Sequence, residues 1–269
     1  MSKVTQKNHI RRNLILRALL ENPGLSLSEL KMKTGISLPV ITSLVAGLKK
    51  EGIVIDSTPG PAIRTGRPPS LVQLNGSAGY LLGIDIGRTR TSLILLDLSL
   101  QPIKRQTNTT ANLSLGRDIL IDTLETIIGD LIQDAAVSLE QVVGTGISLP
   151  GIVDPAGGRS TTYLNFGDTP LRTIVSDRLG HPVHIDHDLE AMARGELWFG
   201  AAKEKKNVVC VNVGWGLGLG LIINKKVYYG NRGFAGEFGH LQIDPEGEIC
   251  YCGKRGCLET MVSGKSIAA

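Results

Sequence analysis

The sequence predicts two modules, a small helical head followed by a larger α/β body. The first 70 of the 269 residues hold 11 Lys and Arg against 4 Asp and Glu, a net charge of +7, whereas residues 71–269 hold 18 against 21, a net charge of −3. Apolar residues recur at helical spacing in the head, and apolar strand-like runs alternate with helical segments after residue 79. We expect domains at residues 1–75, 79–200 and 201–269.

Composition limits the class of protein. Apolar residues make up 42% of the chain, enough for a sizeable core, and the 33 Gly residues are typical of a chain rich in tight turns. No apolar run reaches the roughly 18 residues of a membrane span, and the N-terminus lacks the apolar core of a signal peptide. We therefore expect a cytoplasmic protein. The basic head on a mildly acidic body suggests that the head meets a polyanion.

Three helices are predicted in the head. Residues 9–21 form the first, which Asn22-Pro23-Gly24 ends. Ser26 is a predicted N-cap, with Glu29 at the third helical position to complete a capping box, and this second helix ends near Gly35. Ser37 caps the third helix, whose apolar stripe consists of Ile41, Leu44, Val45 and Leu48.

Two strands follow the three helices, at residues 53–55 and 71–74, with a Pro- and Gly-rich loop between them. Three helices with a Gly-containing turn between the second and third, followed by a strand pair that forms a wing, predict a winged helix-turn-helix. The alternative is a small helical bundle that binds protein. The basic excess together with the wing favours binding to double-stranded DNA.

The third helix of such a head enters the major groove, and its exposed residues reach base edges. Lys side chains at its end meet phosphates, and an Arg beside Gly and Pro in the wing fits a narrow minor groove. The candidate DNA-binding residues are Ser37, Leu38, Pro39, Thr42, Ser43, Lys49, Lys50, Arg64 and Arg67.

The body begins with two apolar strands, residues 80–85 and 92–97, on either side of a tight turn. Gly87 lets the backbone approach a phosphate, Thr89 offers a hydroxyl, and Asp85 could hold Mg²⁺ through water. Many hairpins also place Asp and Gly at their turn, so an ordinary hairpin turn is the alternative.

Further strands and helices alternate along the body. A helix at 113–137 and a strand at 142–148 lead to Pro150-Gly151, and a helix at 171–179 and a strand at 183–185 lead to His187-Asp188. A carboxylate just past a strand is where α/β folds place their chemistry. Asp188 could equally be the N-cap of a helix at 189–199, and the two roles are compatible.

A strand at 207–212 precedes a segment, 213–220, in which Gly alternates with large apolar residues. Such a segment could hold phosphates, through Gly214 and Gly216, or could allow close strand packing. A Gly-rich run by itself is weak support for either.

The tail contains a His and Cys cluster with the spacing H-x9-C-x-C-x4-C, formed by His240, Cys250, Cys252 and Cys257. Imidazole and thiolates are preferred ligands of Zn²⁺, and a closed structural site needs four of them. The alternatives are a disulfide, or buried cysteines acting as small hydrophobes. Zinc is favoured because hairpin-like Cys spacing with a nearby His is typical of a metal site in a chain that lacks secretory marks. The cluster lies between Glu237 and Glu259.

These motifs resemble the ROK family (repressors, open reading frames and kinases) along nearly the whole chain. The most specific segments are Glu237-Phe-Gly-His240 and the run from Cys250 to Glu259, and the head resembles the repressor branch. The resemblance implies a winged helix-turn-helix joined to an actin-like (ribonuclease H-like) sugar-kinase ATPase fold, with the second lobe incomplete. It also implies an oligomeric transcription factor whose operator affinity changes when a sugar or sugar phosphate binds.

The same resemblance implies a sugar pocket braced by structural zinc. Its sugar-binding residues would be Pro150, Gly151, His187, Asp188, Glu237, His240 and Glu259. Ionised carboxylates accept strong hydrogen bonds from sugar hydroxyls. The implied zinc ligands are His240, Cys250, Cys252 and Cys257.

Sugar kinase activity is the alternative, since the residue that matches Asp188 is the catalytic base in family kinases. Three departures argue against it. The kinases have Asn at His187, a small hydroxyl residue at Trp215 and Gly at Arg88, and a bulky Trp215 and Arg88 obstruct close backbone approach to ATP phosphates. Asp85, Gly87, Thr89, Gly214 and Gly216 would then be remnants of a nucleotide loop. A third alternative is a non-functional truncated paralogue.

Overall fold

The structure is a computed structural model that describes residues 3–57, 70–231 and 233–268. The helices are α1 (Lys3–Glu21), α2 (Leu27–Thr34), α3 (Leu38–Lys50), α4 (Arg117–Asp134), α5 (Leu171–Leu179), α6 (Asp188–Phe199), α7 (Leu258–Val262) and α8 (Gly264–Ala268). The strands are β1 (Leu25–Ser26), β2 (Val54–Ser57), β3 (Leu71–Leu74), β4 (Tyr80–Ile86), β5 (Thr91–Asp97), β6 (Pro102–Asn108), β7 (Val142–Leu149), β8 (Val153–Asp154), β9 (Arg159–Ser160), β10 (Val183–His187), β11 (Val208–Val213), β12 (Leu217–Ile223) and β13 (Lys226–Val227).

The first three helices and the strands β1, β2 and β3 enclose one apolar core. The capping box predicted for α2 is present: the Glu29 N–H donates to Ser26 Oγ at 3.2 Å, and the Ser26 N–H donates to Glu29 Oε2 at 2.8 Å. Gly35 ends α2 with φ of 68°, a left-handed conformation that favours glycine. The core residues of this module are Ile15, Ala18, Leu19, Leu25, Leu30, Ile36, Ile41, Val45, Leu48, Val54, Val72 and Leu74.

The sheet of this module has the order β1-β3-β2, and both pairings are antiparallel. Residues 71–74 form a strand as predicted, whereas the strand predicted at 53–55 lies at Val54–Ser57. Strand β1 was not predicted. It is two residues long, and only its pairing with β3 defines it.

The body contains a five-stranded sheet with the order β10-β7-β4-β5-β6. Helix α4 spans 117–134 rather than the predicted 113–137, because the Leu115 N–H bonds to Asn112 in a turn ahead of the helix. Buried residues at helical spacing run along α4: Leu120, Ile121, Leu124, Ile127, Ile128 and Leu131.

A second, antiparallel sheet has the order β11-β12-β13 and packs with helix α6. Much of the Gly-rich segment is strand β12, with Gly218 and Gly220 beneath α6. A Cβ atom at Gly220 would lie 2.5 Å from the Leu189 carbonyl oxygen and 2.7 Å from the Ala193 Cβ. Close packing, one of the two predicted roles, therefore accounts for these two glycines.

The chain divides into two compact units by its internal contacts. The first takes in the described residues of Met1–Gly83, Leu93–Gln106 and Thr126–Thr145, and the second Ile84–Ser92, Thr107–Glu125 and Gly146–Ala269. Among the described residues, none of the helices has the length and apolar character required to cross a membrane.

Candidate functional site

Ionisable side chains meet where strand β10 ends and helix α6 begins. The His187 Nδ1 atom lies 2.5 Å from Glu190 Oε2, and the His187 Nε2 atom lies 3.2 Å from Asp188 Oδ1. His187 is the residue that precedes α6, so Asp188 is the first helical residue and not the predicted N-cap. Asp188 Oδ1 accepts the Leu189 N–H at 2.8 Å. The imidazole therefore bridges two carboxylates.

The pKa values of this pair follow from burial and neighbouring charge. Burial opposes a charged His187, but the hydrogen bond to Glu190 and the charges of Asp188, Glu190 and Glu237 raise the pKa of His187 above its ordinary value. Burial also raises the pKa of Asp188, and the nearby charges of Asp85 and Glu190 act in the same direction, whereas His187 opposes them. We call Asp85, Asp188, Glu190 and Glu237 the carboxylate cluster.

The turn between β4 and β5 borders this cluster. Asp85 is exposed and accepts the Ser148 hydroxyl at 2.7 Å. The Gly87 N–H donates to the Arg90 carbonyl oxygen at 2.8 Å, and a Cβ atom at Gly87 would lie 2.9 Å from that oxygen. Gly87 is therefore needed to close the turn, while Thr89 is exposed on it.

The Gly-rich segment just before β12 packs closely against the side-chain carboxylate of Glu259. The Leu217 N–H donates to Glu259 Oε2 at 2.9 Å, and a Cβ atom at Gly216 would lie 2.7 Å from the same oxygen. The Gly214 N–H donates to the Gly216 carbonyl oxygen at 3.0 Å, and Trp215 between them is 55% exposed. Glu259 is buried, so this hydrogen bond fixes it beneath the turn.

The predicted metal ligands lie together. The ligand atoms of His240, Cys250, Cys252 and Cys257 all fall within 4.8 Å of one another. The Cys250 sulfur lies 3.5 Å from His240 Nδ1, and the Cys252 and Cys257 sulfurs lie 3.6 Å apart. Around tetrahedral Zn²⁺, ligand atoms bound at 2.0–2.3 Å lie about 3.5–3.8 Å from each other. This cluster could therefore hold a metal ion, and all four cysteines of the chain are free thiols.

The Nε2 atom of His240 lies between the His and Cys cluster and Glu237 of the carboxylate cluster. His240 Nε2 lies 3.0 Å from the Tyr251 hydroxyl and 3.6 Å from Glu237 Oε2. The side chain of Glu237 is 45% exposed. A metal bound through Nδ1 would fix the imidazole ring and so the groups that face Nε2.

The predicted sugar-binding residues Pro150 and Gly151 lie in a turn after β7. Gly151 has φ of 89°, and a Cβ atom there would lie 2.7 Å from Thr162 Cβ and 3.0 Å from the Tyr163 ring. The Ile152 N–H donates to the Thr162 hydroxyl at 2.8 Å. This glycine therefore permits close contact between the turn and the segment that contains Tyr163.

Several residues of the site were not predicted from the sequence. Glu190 is almost fully buried and bonds to His187, and its spacing of three residues from His187 on a helix was the available signal. Tyr251 lies between Cys250 and Cys252, two of the predicted metal ligands. Within β10, the buried Asp186 accepts hydrogen bonds from the Tyr229 hydroxyl at 2.9 Å and from Arg194 at 3.2 Å, contacts that no local pattern indicates.

The predicted DNA-binding residues divide into three groups. Ser37, Leu38, Pro39, Thr42, Ser43 and Lys50 are exposed, as a reading surface requires. Lys49 forms an ion pair with Asp56 at 2.5 Å and is therefore partly neutralised. Arg64 and Arg67 lie outside the described residues.

Comparison with known proteins defines the class. The family model described as "ROK family" matches residues 81–269. The xylose repressor of Bacillus subtilis (strain 168) is 35% identical over 270 residues, 99% of this chain and 67% of the repressor. The glucokinase of Streptomyces coelicolor is 35% identical over 196 residues, 70% of this chain and 58% of the kinase. The chain therefore belongs to the ROK family.

A solved structure has the same fold over almost the whole chain. A ROK family transcriptional regulator, described as a homolog of the E. coli MLC protein, superposes with a TM-score of 0.78 at 26% identity, over 97% of this chain and 66% of that chain. The chain thus spans about two thirds of the length of the curated repressors and of this regulator.

Proposed function

We propose that the protein is a sugar-responsive, DNA-binding transcriptional repressor of carbohydrate-metabolism genes. The supporting observation is where the relatives align. The xylose repressor matches 99% of the chain, whereas the glucokinase matches 70%. The family model begins at residue 81, so the basic head precedes the matched domain and lies within the part of the chain shared with repressors.

The proposed head, residues 1–75, is a winged helix-turn-helix. Helices α2 and α3 are joined by a short turn through Gly35, and the β2–β3 pair is the proposed wing. The exposed start of α3 would read base edges, and Lys50 would meet a phosphate. Residues 79–200 and 201–269 are the proposed lobes of the sugar-binding body. A homo-oligomer in the cytoplasm would pair two such heads on one operator.

The proposed sugar site is the carboxylate cluster together with His187, His240, Glu259 and the turn at Pro150-Gly151. Asp188 and Glu237 have partly exposed carboxylates, which can accept hydrogen bonds from sugar hydroxyls. Glu259 already accepts the Leu217 N–H through one oxygen, which leaves its second oxygen for a ligand.

We further propose that the His and Cys cluster holds structural Zn²⁺. The three sulfurs and one imidazole nitrogen are the donor set of closed zinc sites, and the separations of 3.5 Å between Cys250 Sγ and His240 Nδ1 and of 3.6 Å between Cys252 Sγ and Cys257 Sγ fit a tetrahedron. The ion would stiffen the loop that carries His240 and so the position of Glu237.

Selection of duplexes from a random library by the purified protein tests the DNA-binding part. We expect one enriched sequence, bound more tightly than its shuffled version at every salt concentration, with the preference reduced in a Thr42→Ala, Ser43→Ala double variant. Enrichment of no sequence would refute the proposal. Ser28→Ala, an exposed change on α2, is the matched control.

A second candidate function is ATP-dependent sugar kinase, favoured by the glucokinase match and by the position of Asp188 directly after strand β10. His187 is paired with Asp188, and Trp215 occupies the turn before β12, so we expect no transfer. The test is sugar-dependent ATP consumption by the wild-type protein and by Asp188→Asn. Turnover in the wild type that the variant lacks would favour the kinase.

A further inference from the structure

Arg88 occupies a defined position in the turn that follows β4. Its guanidinium carbon lies 5.8 Å from the centre of the Tyr163 ring and 5.7 Å from the centre of the Tyr251 ring. A cation within about 6 Å of an aromatic face is attracted by the ring electrons, by about 0.5–2 kcal/mol. Two such contacts restrict the orientation of an otherwise exposed side chain.

Arg88 has no anionic partner within the described part of the chain. Other arginines do: Arg12 pairs with Glu51 at 2.5 Å, and Arg178 pairs with Asp122 at 2.6 Å. A guanidinium presents five N–H donors in a planar fork that matches a phosphate or a carboxylate. Arg88 is thus a cation that is oriented by two rings and whose donors remain available to a ligand.

The position of Arg88 relates it to the proposed sugar site. The hydroxyl of Tyr251, one of its two rings, lies 3.0 Å from His240 Nε2, and the same nitrogen lies 3.6 Å from Glu237 Oε2. Tyr163, the other ring, packs beside Gly151. The guanidinium therefore lies at the margin of a site whose other charged groups are mainly carboxylates.

An anionic ligand would be repelled by carboxylates unless a cation balanced its charge. We propose that Arg88 binds the anionic group of an acidic sugar, a sugar phosphate or a sugar acid, and that the effector of this protein belongs to that class. The inference rests on the proposed sugar-binding function. In this proposal the hydroxyls of the sugar face the carboxylate cluster, and its anionic group faces Arg88.

Calorimetric titration of the full chain with glucose, glucose 6-phosphate, glucuronate and xylose tests this proposal. We expect glucose 6-phosphate or glucuronate to bind about tenfold or more tightly than glucose, the difference that one charge-assisted pair supplies. The phosphate and carboxylate arms identify which anion is preferred. Arg88→Ala should abolish the preference, and Arg88→Lys should keep only part of it because lysine lacks the planar fork.

Arg90→Ala is the matched control, since Arg90 lies on the same turn, is exposed and has no ring contact among the described residues. It should retain the preference for the acidic sugar. Equal or tighter binding of glucose or xylose by the wild type would overturn the acidic-sugar proposal and leave sugar sensing intact. Loss of the preference in Arg90→Ala would overturn it too. Binding of none of the four sugars would overturn both proposals.

Discussion

At the scale of single residues, the imidazole of His187 determines much of the charge in the candidate site. It lies between Asp188 and Glu190, and the latter is almost fully buried. A buried carboxylate needs a partner, because an unpaired charge away from water is costly. The protonated imidazole meets that need for Glu190, and this is the physical reason for the raised pKa of His187.

Replacement of Glu190 by Gln should lower the pKa of His187, because the hydrogen bond to Glu190 is the strongest influence that raises it. The raised pKa contributes stability that is fully present below the unfolded value of about 6.5 and is lost as the pH rises through the folded pKa. As the pH rises from about 6.5 through the folded pKa of His187, the free energy of unfolding should therefore fall less in Glu190→Gln than in the wild type.

An NMR titration that follows the imidazole of His187 in the wild type and in Glu190→Gln measures this directly. An unchanged pKa at His187 in the variant would contradict the assigned cause.

The metal cluster gives a second prediction at this scale. Cys257→Ser should release zinc and lower the melting temperature, since structural Zn²⁺ contributes on the order of 10 kcal/mol of apparent binding free energy in small zinc domains. Zinc content by mass spectrometry and thermal unfolding are the measurements.

Cys210 supplies the control for this variant, because it is the remaining cysteine of the chain and lies in β11, outside the His and Cys cluster. Cys210→Ser should keep one zinc per chain. Full metal content in Cys257→Ser would remove the assignment of the site.

Among the secondary-structure elements, the contact between β12 and α6 explains two glycines of the segment 213–220, Gly218 and Gly220. Gly220 faces the backbone of Leu189 at a distance that admits no side chain. Because α6 begins at Asp188, the same contact positions the carboxylate at the start of that helix. The glycines of β12 therefore act on the site through packing.

Gly220→Ala should destabilise the protein by about 1–3 kcal/mol, because a methyl group 2.5 Å from the Leu189 carbonyl oxygen forces the two elements apart. Gly195→Ala, within α6 and with no atom within 4 Å of the added Cβ, should stabilise it by up to about 1 kcal/mol. Chemical denaturation of both variants tests the pair. Equal changes in the free energy of unfolding of the two variants would show that close packing against α6 is not the reason for glycine at position 220.

Helix α3 gives a prediction for DNA binding. Lys50 forms no ion pair with any described residue, whereas Lys49 is paired with Asp56. Lys50→Ala should reduce the slope of log K against log salt by about 1, the value for one lost phosphate contact, and Lys49→Ala should reduce it less. Slopes measured by fluorescence anisotropy between low and moderate salt decide this. A larger effect of Lys49→Ala would mean that its pair with Asp56 opens on DNA.

For the molecule as a whole, local signals predicted where helix α2 begins and ends. The capping box of Ser26 and Glu29 and the turn at Gly35 involve neighbours in sequence, so their geometry is present in the pattern itself. Strand β1 depends on β3, which lies more than 40 residues later in the chain, and no local pattern marks it.

The candidate site was predicted in part. The predicted metal ligands share one short segment with a distinctive spacing, and the structure brings them together. The orientation of Arg88 was missed because it depends on a contact between segments, such as that with Tyr163. Glu190 was missed although its contact with His187 spans only three residues of the sequence. The Gly-rich segment could not be assigned because glycine permits both close packing and ligand approach, and only the position of α6 decides between them.

In the proposed function, a sugar changes the affinity of this protein for its operator. The most direct measurement is the dissociation constant for the selected duplex, by fluorescence anisotropy at fixed salt, with and without saturating sugar or sugar phosphate. We expect the dissociation constant to change by about fivefold or more with at least one sugar, and to change less for a shuffled duplex. A constant that is the same with every sugar, for a protein that binds both sugar and duplex, would contradict it.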